Sequence, residues 1–241
     1  GIKVYLFEEL KPVPELSFSI RYLKTTAGIA VTASHNPAKY NGYKAYGSDG
    51  AQLNPELATI VLDEIGKTDI FTGVKKMDFE QAIDQGMIVM IGDEVEEAYL
   101  DEVQKQCVNP ELAKEKGDTL KFVYTPFHGA GNKPVRKILK RIGFNNVVVV
   151  KEQELPDGDF PTVESPNPEN KEGFKLAIGY AKECGADLIV GTDPDSDRVG
   201  ILVKNDKGEY VTFTGNQVGT LLSEYILSAL AEKDAVPKDG Y

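Results

Sequence analysis

The chain has 241 residues, of which 41% are hydrophobic and 27% are charged, a composition typical of a globular protein with one large or two small domains. Its formal net charge of −11 argues against a nucleic-acid partner, because no basic stripe is available to neutralise phosphates. No apolar run approaches the ~18 residues of a membrane span and no signal peptide is recognisable, so we expect neither membrane insertion nor secretion. Cys107 and Cys184 form no Cys-x-x-Cys pattern, which indicates reduced thiols in a cytoplasmic protein.

Strands and helices alternate in the first half of the chain. Leu16, Ile20 and Leu23 recur at helical spacing, and Asn54 with Pro55 supplies a helix start that has proline at its favoured first position. The predicted elements are strands over Val4–Phe7, Gly28–Ala33 and Tyr43–Tyr46, and helices over Pro14–Thr25, Asn54–Ile65 and Asp93–Cys107.

A second strand–helix series is predicted from about Leu120. Four consecutive valines in Asn146–Val150 favour a strand buried on both faces of a parallel sheet. The other predicted elements are strands over Lys121–Tyr124, Asp187–Val190, Val199–Val203 and Glu209–Phe213, and helices over Gly131–Ile142, Lys171–Cys184 and Asn216–Ala231. This alternation predicts α/β domains with mostly parallel sheets, in which ligand loops lie at the carboxyl ends of strands.

The hexapeptide Thr32-Ala33-Ser34-His35-Asn36-Pro37 follows one of these strands and is the first candidate site. It places a hydroxyl beside an imidazole on a turn closed by proline, and Lys44 follows ten residues after the serine. This pattern suits a hydroxyl that carries a phosphoryl group next to a group that moves a proton. Taken alone, Ser34 could instead shape the turn, His35 could bind phosphate or the loop backbone, and Lys44 could be a solvated lysine.

The octapeptide Gly191-Thr192-Asp193-Pro194-Asp195-Ser196-Asp197-Arg198 is the second candidate. Three aspartates at alternate positions can direct their oxygens to one centre in a tight loop, and oxygen-only ligands select Mg²⁺, Mn²⁺ or Ca²⁺ over zinc or copper. An EF-hand also opens with this spacing, but it requires glycine and glutamate where Arg198 and Lys204 stand. An acidic surface turn is a further alternative.

The two segments together resemble the α-D-phosphohexomutase family, whose members include phosphoglucomutases and phosphomannomutases. The resemblance implies that Ser34 is phosphorylated and that Lys44 acts as general acid/base. It also implies that Asp193, Asp195 and Asp197 bind Mg²⁺, which bridges to the phosphate on Ser34. Arg198 adds a fixed positive charge, and His35 is a further candidate beside the serine.

The resemblance also implies a fold, a reaction and a domain plan. We expect two consecutive three-layer α/β/α domains with mostly parallel mixed sheets, the first of them incomplete. The predicted boundaries are residues 1–113 for part of domain 1, 114–212 for domain 2, and 213–241 for the start of domain 3 or a final helix. Members of the family have four domains, and we do not find the sugar and distal phosphate loops of domains 3 and 4 in this sequence. We therefore expect this chain alone to lack mutase activity. The implied reaction interconverts hexose 1-phosphates and hexose 6-phosphates through phosphorylated Ser34 and a bisphosphorylated sugar. The implied ligands are therefore sugar monophosphates and sugar bisphosphates.

Several alternatives remain open from the sequence. Glucose is favoured as the sugar over mannose or a pentose, on the context of Ala33 and the Tyr40–Lys44 segment. A strand followed by Asp-x-Asp also resembles haloacid-dehalogenase phosphatases, although those would have Thr or Val in place of Asp197. A metal-binding module without catalysis is the third hypothesis. His128 precedes a predicted helix in a glycine-rich turn whose backbone N–H groups could approach an anion. We interpret that turn and the Glu164–Glu169 segment as structural, and the role of His128 itself stays open.

Overall fold

The computed structural model describes residues 1–237, which form two compact units. The first unit contains Gly1–Thr32 and Gly42–Tyr99, and the second contains Ala33–Asn41 together with the residues from Leu100 onward. The Ser34 turn therefore belongs to the second unit, although the segments that precede and follow it, Gly1–Thr32 and Gly42–Tyr99, belong to the first. The boundaries at residues 113 and 212 stay predictions, and the final predicted segment includes residues 238–241, which lie outside the described residues.

The first unit is built from two small sheets and three helices. Strand β1 pairs with β4 in parallel, and β2 pairs with β3 antiparallel. The elements are β1 (Val4–Phe7), α1 (Val13–Tyr22), β2 (Ala27–Val31), β3 (Tyr43–Gly47), α2 (Pro55–Gly66), α3 (Phe79–Asp84) and β4 (Ile88–Ile91). Helix α4 (Asp93–Lys105) begins here and ends in the second unit.

Local sequence explains where several of these elements start and why two were missed. The Asn54 side chain accepts a hydrogen bond from the backbone N–H of Leu57 at 2.9 Å, so α2 begins at its predicted cap. The sequence did not predict α3 or β4, because six- and four-residue elements are too short to show a clear hydrophobic period.

A buried ion cluster lies in the first unit. The ammonium group of Lys11 pairs with the carboxylates of Glu96 and Glu15, the latter at 4.0 Å. The three side chains are 7%, 1% and 0% exposed, respectively. Buried carboxylates of this kind depend on a nearby cation for compensation of their lost hydration.

The second unit is organised around one five-stranded sheet with strand order β6-β5-β7-β8-β9. Its first three strands are parallel, and β7, β8 and β9 are antiparallel to one another. The elements are α5 (Pro110–Lys116), β5 (Phe122–Thr125), α6 (Asn132–Ile142), β6 (Val147–Val149), α7 (Lys175–Cys184), β7 (Leu188–Thr192), β8 (Val199–Lys204), β9 (Tyr210–Thr212) and α8 (Gly215–Glu232), with 3-10 turns at Lys151–Gln153 and Lys171–Phe174. The sheet confirms the expected α/β class.

The core of the second unit lies along β5, β7 and α7. Phe127 and Phe174 meet edge to face with ring centroids 5.0 Å apart, and both are fully buried. The valine strand differs from its prediction, because β6 is an edge strand whose three valines are only half-buried. Among residues 1–237, none of the helices combines the length and hydrophobicity needed to cross a bilayer.

Candidate active site

The aspartate loop begins directly after β7, at the carboxyl end of a strand that lies beside β5 in parallel. Asp193 and Asp195 are buried, Asp197 is exposed, and one carboxylate oxygen from each lies within 4.8 Å of the others. Ser196 adopts a left-handed conformation with φ +55°, which tightens the loop enough for alternate side chains to converge. The sequence prediction that these three aspartates share one centre is consistent with this geometry.

Asp193 is tied into the loop through its Oδ1. Its Oδ1 accepts backbone N–H bonds from Asp197 at 3.1 Å and Arg198 at 2.9 Å. Burial, followed by the hydrogen bond and charge of Asp195, raises the pKa of Asp193 to about 7, against the opposing effect of the Arg198 N–H. The acidic groups are therefore crowded together, and a cation bound between them would stabilise their ionised forms.

Ser34, on its own turn, lies beside the aspartate loop. Its Oγ is 3.1 Å from Asp193 Oδ2 and 3.4 Å from Asp195 Oδ1, within reach of a hydrogen bond to either oxygen. The serine has φ +53°, a conformation that turns the chain sharply at this point. The Ser165 hydroxyl donates a hydrogen bond to the His35 carbonyl at 3.2 Å and so anchors the same turn.

The donor set fits a hard divalent cation. It contains three carboxylates and one hydroxyl, all oxygen, with neither histidine nor cysteine among the clustered acidic groups. Mg²⁺, Mn²⁺ and Ca²⁺ prefer such ligands, whereas zinc and copper prefer nitrogen and sulfur. These residues could hold such a cation.

The remaining predicted site residues are placed differently. His35 is half-buried, and its Nδ1 lies 3.2 Å from Ser34 Oγ. The Arg198 side chain is exposed, and its backbone is what contacts Asp193. Lys44 belongs to the first unit, on β3, opposite Ala30 of β2. The second unit thus brings together the serine, the histidine and the three aspartates.

His128, whose role the sequence left open, makes structural contacts through both ring nitrogens. Its Nδ1 lies 3.2 Å from the carbonyl of Leu155, which can only accept, and its Nε2 lies 2.8 Å from Thr162 Oγ1. The sequence did not reveal that Ser165 anchors the Ser34 turn or that Thr162 contacts His128, because each contact joins residues more than 30 positions apart and no local pattern marks it.

Two sequence models of one family match the chain. Residues 1–70 match "Phosphoglucomutase/phosphomannomutase, alpha/beta/alpha domain I", and residues 97–208 match "alpha/beta/alpha domain II" of the same family. Phosphoglucomutase of Staphylococcus haemolyticus strain JCSC1435 is 40% identical over 227 residues, covering 94% of this chain and 40% of the relative. Phosphoglucomutase of Staphylococcus aureus strain N315 is 39% identical and covers 93% of this chain and 39% of the relative.

Solved structures of the family share the fold. A protein of Thermus thermophilus assigned as a phosphomannomutase superposes with a TM-score of 0.72 at 25% identity, covering 95% of this chain and 47% of that one. The open form of parafusin, a phosphoglucomutase from Paramecium, superposes with a TM-score of 0.63 at 18% identity, covering 87% and 41%. The chain spans about 40% of the length of the curated relatives it matches.

Proposed function

Because the chain belongs to the phosphoglucomutase/phosphomannomutase family, we propose that it supplies the phosphoryl-donor half of a phosphohexomutase. Phosphorylated Ser34 transfers its phosphoryl group to a hexose monophosphate, which leaves a free serine and a hexose bisphosphate. The bisphosphate turns around, and Ser34 takes the phosphoryl group from the other position. The observation that carries this proposal is the 3.1 Å approach of Ser34 Oγ to Asp193 in a cluster of three carboxylates.

Mg²⁺ is the cation that we propose for this cluster. A phosphoserine carries nearly two negative charges at neutral pH, which three adjacent aspartates would repel without a cation between them. Asp193, Asp195 and Asp197 would hold the ion beside the Ser34 phosphate. The bound ion would withdraw charge from phosphorus and so stabilise the transition state.

Three other residues would move the proton of the sugar hydroxyl and compensate the charge of the phosphate. We propose Lys44 as the general acid/base that takes the proton of the attacking sugar hydroxyl, a role that rests on its place in the family motif. His35, whose Nδ1 is 3.2 Å from Ser34 Oγ, would hydrogen-bond the serine or its phosphate. Arg198 would add positive charge at the end of the aspartate loop.

Glucose phosphates are the substrates that we propose, in a cytoplasmic enzyme. The curated relatives with 39–40% identity are named phosphoglucomutase, which favours glucose over mannose or a pentose. The net charge of −11 does not oppose an anionic substrate, since binding depends on the local potential and on positive groups that we place in domains 3 and 4 of the longer protein.

A serine substitution in the complete protein tests the reaction. Ser34→Ala should reduce the conversion of glucose 1-phosphate to background, as measured by a coupled assay for glucose 6-phosphate. Ser48→Ala, at an exposed turn serine, is the matched control and should keep full activity. If Ser34→Ala converted glucose 1-phosphate as fast as the wild type, Ser34 would not carry the phosphoryl group and the proposal would be wrong. If the wild type and Ser34→Ala instead released inorganic phosphate equally and formed no glucose 6-phosphate, an aspartate would be the nucleophile and the mutase proposal would be wrong.

A further inference from the structure

Two loops lie side by side at the carboxyl ends of β5 and β7. One is the aspartate loop, and the other, here called the histidine loop, contains residues 126–131. The backbone N–H of Ala130 donates a hydrogen bond to the carbonyl of Pro194 at 2.8 Å. A Cβ atom added to Gly129 would lie 2.3 Å from the Cα of Pro194, closer than any real contact. The histidine loop is therefore packed directly against the middle of the aspartate loop.

A second glycine shows the same close approach. A Cβ atom at Gly131 would lie 2.7 Å from the hydroxyls of Ser196, Thr192 and Tyr124. The histidine loop thus touches Thr192, the last residue of β7, and Ser196 at the tight turn of the aspartate loop. Any shift of this loop would be transmitted to the backbone that presents Asp193 and Asp195.

The histidine loop holds an unfavourable backbone conformation. Phe127 and His128 are consecutive non-glycine residues with φ of +46° and +61°, a region that L-residues seldom adopt. Such a conformation persists only where surrounding contacts hold it. Phe127 is fully buried against Phe174, and the backbone N–H of His128 donates to the carbonyl of Gln153 at 2.9 Å.

A chain of hydrogen bonds completes this hold. Thr125 Oγ1 donates to Gln153 Oε1 at 2.7 Å, and Gln153 Nε2 donates to Thr162 Oγ1 at 3.1 Å. The Thr162 hydroxyl then lies 2.8 Å from His128 Nε2, and Nδ1–H of the same ring donates to the Leu155 carbonyl. Every member has a partner of the right polarity. His128 is 5% exposed and connects this series of hydrogen bonds to the histidine loop.

We propose that His128 is a positioning residue for the cation site. It fixes the histidine loop. The hydrogen bond of the Ala130 N–H and the close packing at Gly129 and Gly131 in turn fix the aspartate loop in its cation-binding geometry. His128 does so without touching the cation. This inference rests on the proposed function, since it concerns the site that the proposed reaction uses.

Cation affinity of the 241-residue chain tests this role without relying on activity. Mn²⁺ is the probe, since it accepts the same oxygen ligands and its electron paramagnetic resonance signal separates free from bound ion, and Mg²⁺ is then added as a competitor. His128→Ala removes both ring contacts and should weaken Mn²⁺ binding about 10- to 100-fold, the range seen when residues supporting metal ligands are lost. His128→Asn should restore part of the affinity, because asparagine tolerates positive φ and can donate to Leu155.

Tyr210→Phe is the matched control. The Tyr210 hydroxyl is also buried and donates to the carbonyls of Ala181 and Ala186, the latter in the turn before β7 rather than after it. This variant should lower thermal stability and leave Mn²⁺ affinity unchanged. Equal Mn²⁺ affinities in the wild type, His128→Ala and Tyr210→Phe would overturn the positioning role while leaving the site intact. A wild-type chain that bound neither Mn²⁺ nor Mg²⁺ would contradict the proposed cation site, and the positioning role with it.

Discussion

Asp193 combines burial with a crowd of other acidic groups. Its carboxyl is fully buried, it shares a hydrogen bond with Asp195, and Asp197 adds a further negative charge nearby. These contacts raise its pKa from 3.8 to about 7 in the absence of a cation. A residue that resists ionisation in the folded chain but ligates metal only when ionised couples cation binding to pH.

The sign of the resulting stability change follows from proton binding. Between about pH 4 and pH 7 the folded chain holds a proton on Asp193 that the unfolded chain has released, so the free energy of unfolding falls as pH rises through this window. Asp193→Asn removes the titration and should flatten this part of the profile. Thermal unfolding of both proteins without metal, at a series of pH values, measures the difference. Identical slopes for the wild type and Asp193→Asn would contradict the raised pKa.

Strand β8 and the loop before α7 approach each other closely at Gly200. A Cβ atom there would lie 2.0 Å from the carbonyl oxygen of Pro168, so a side chain requires the backbone to move. We expect Gly200→Ala to lower the free energy of unfolding by about 1–3 kcal/mol, measured by urea denaturation. Gly179→Ala in α7 meets no atom within 4 Å and should stabilise the helix by about 0.5–1 kcal/mol instead. The prediction is wrong if both variants change stability in the same direction.

The Lys11 cluster ties the start of α1 to α4 within the first unit. Lys11→Met would remove the buried cation that contacts the carboxylates of Glu15 and Glu96, at a cost of about 3–5 kcal/mol. Lys67→Met removes a cation from a pair that is 68% exposed on both sides, and it should have little effect. Comparable urea midpoints for the two variants would show that the Lys11 cluster contributes no more than a surface pair.

The elements and motifs that the sequence predicted well are those with local signals. Helix α2 starts at its Asn54 cap. The aspartate loop follows a predicted strand, and the alternate spacing of Asp193, Asp195 and Asp197 indicates that their oxygens converge. Strand β4 has no such signal, because its four apolar residues could equally end a helix. The support that His128 gives to the histidine loop depends on Thr162, 34 residues away, and no periodicity could have revealed it.

Along its length, the chain matches two of the family's domains. The two family segments matched are domains I and II, and the chain spans about 40% of its curated relatives. We propose that the sugar and the distal phosphate are held by segments outside it. The 241-residue chain alone should then convert glucose 1-phosphate at background rate, while still binding Mg²⁺. Turnover close to that of a complete relative in the same coupled assay would contradict the proposal that segments outside the chain hold the substrate.

Ser34 is the residue that we propose carries the phosphoryl group. Peptide mass spectrometry of the complete protein, before and after incubation with glucose 1,6-bisphosphate and Mg²⁺, measures whether it does. We predict one added phosphoryl group, located on Ser34, which increases after incubation and disappears in Ser34→Ala. Protein that carries no phosphate in either state, or that carries it on an aspartate or another serine, would contradict the account.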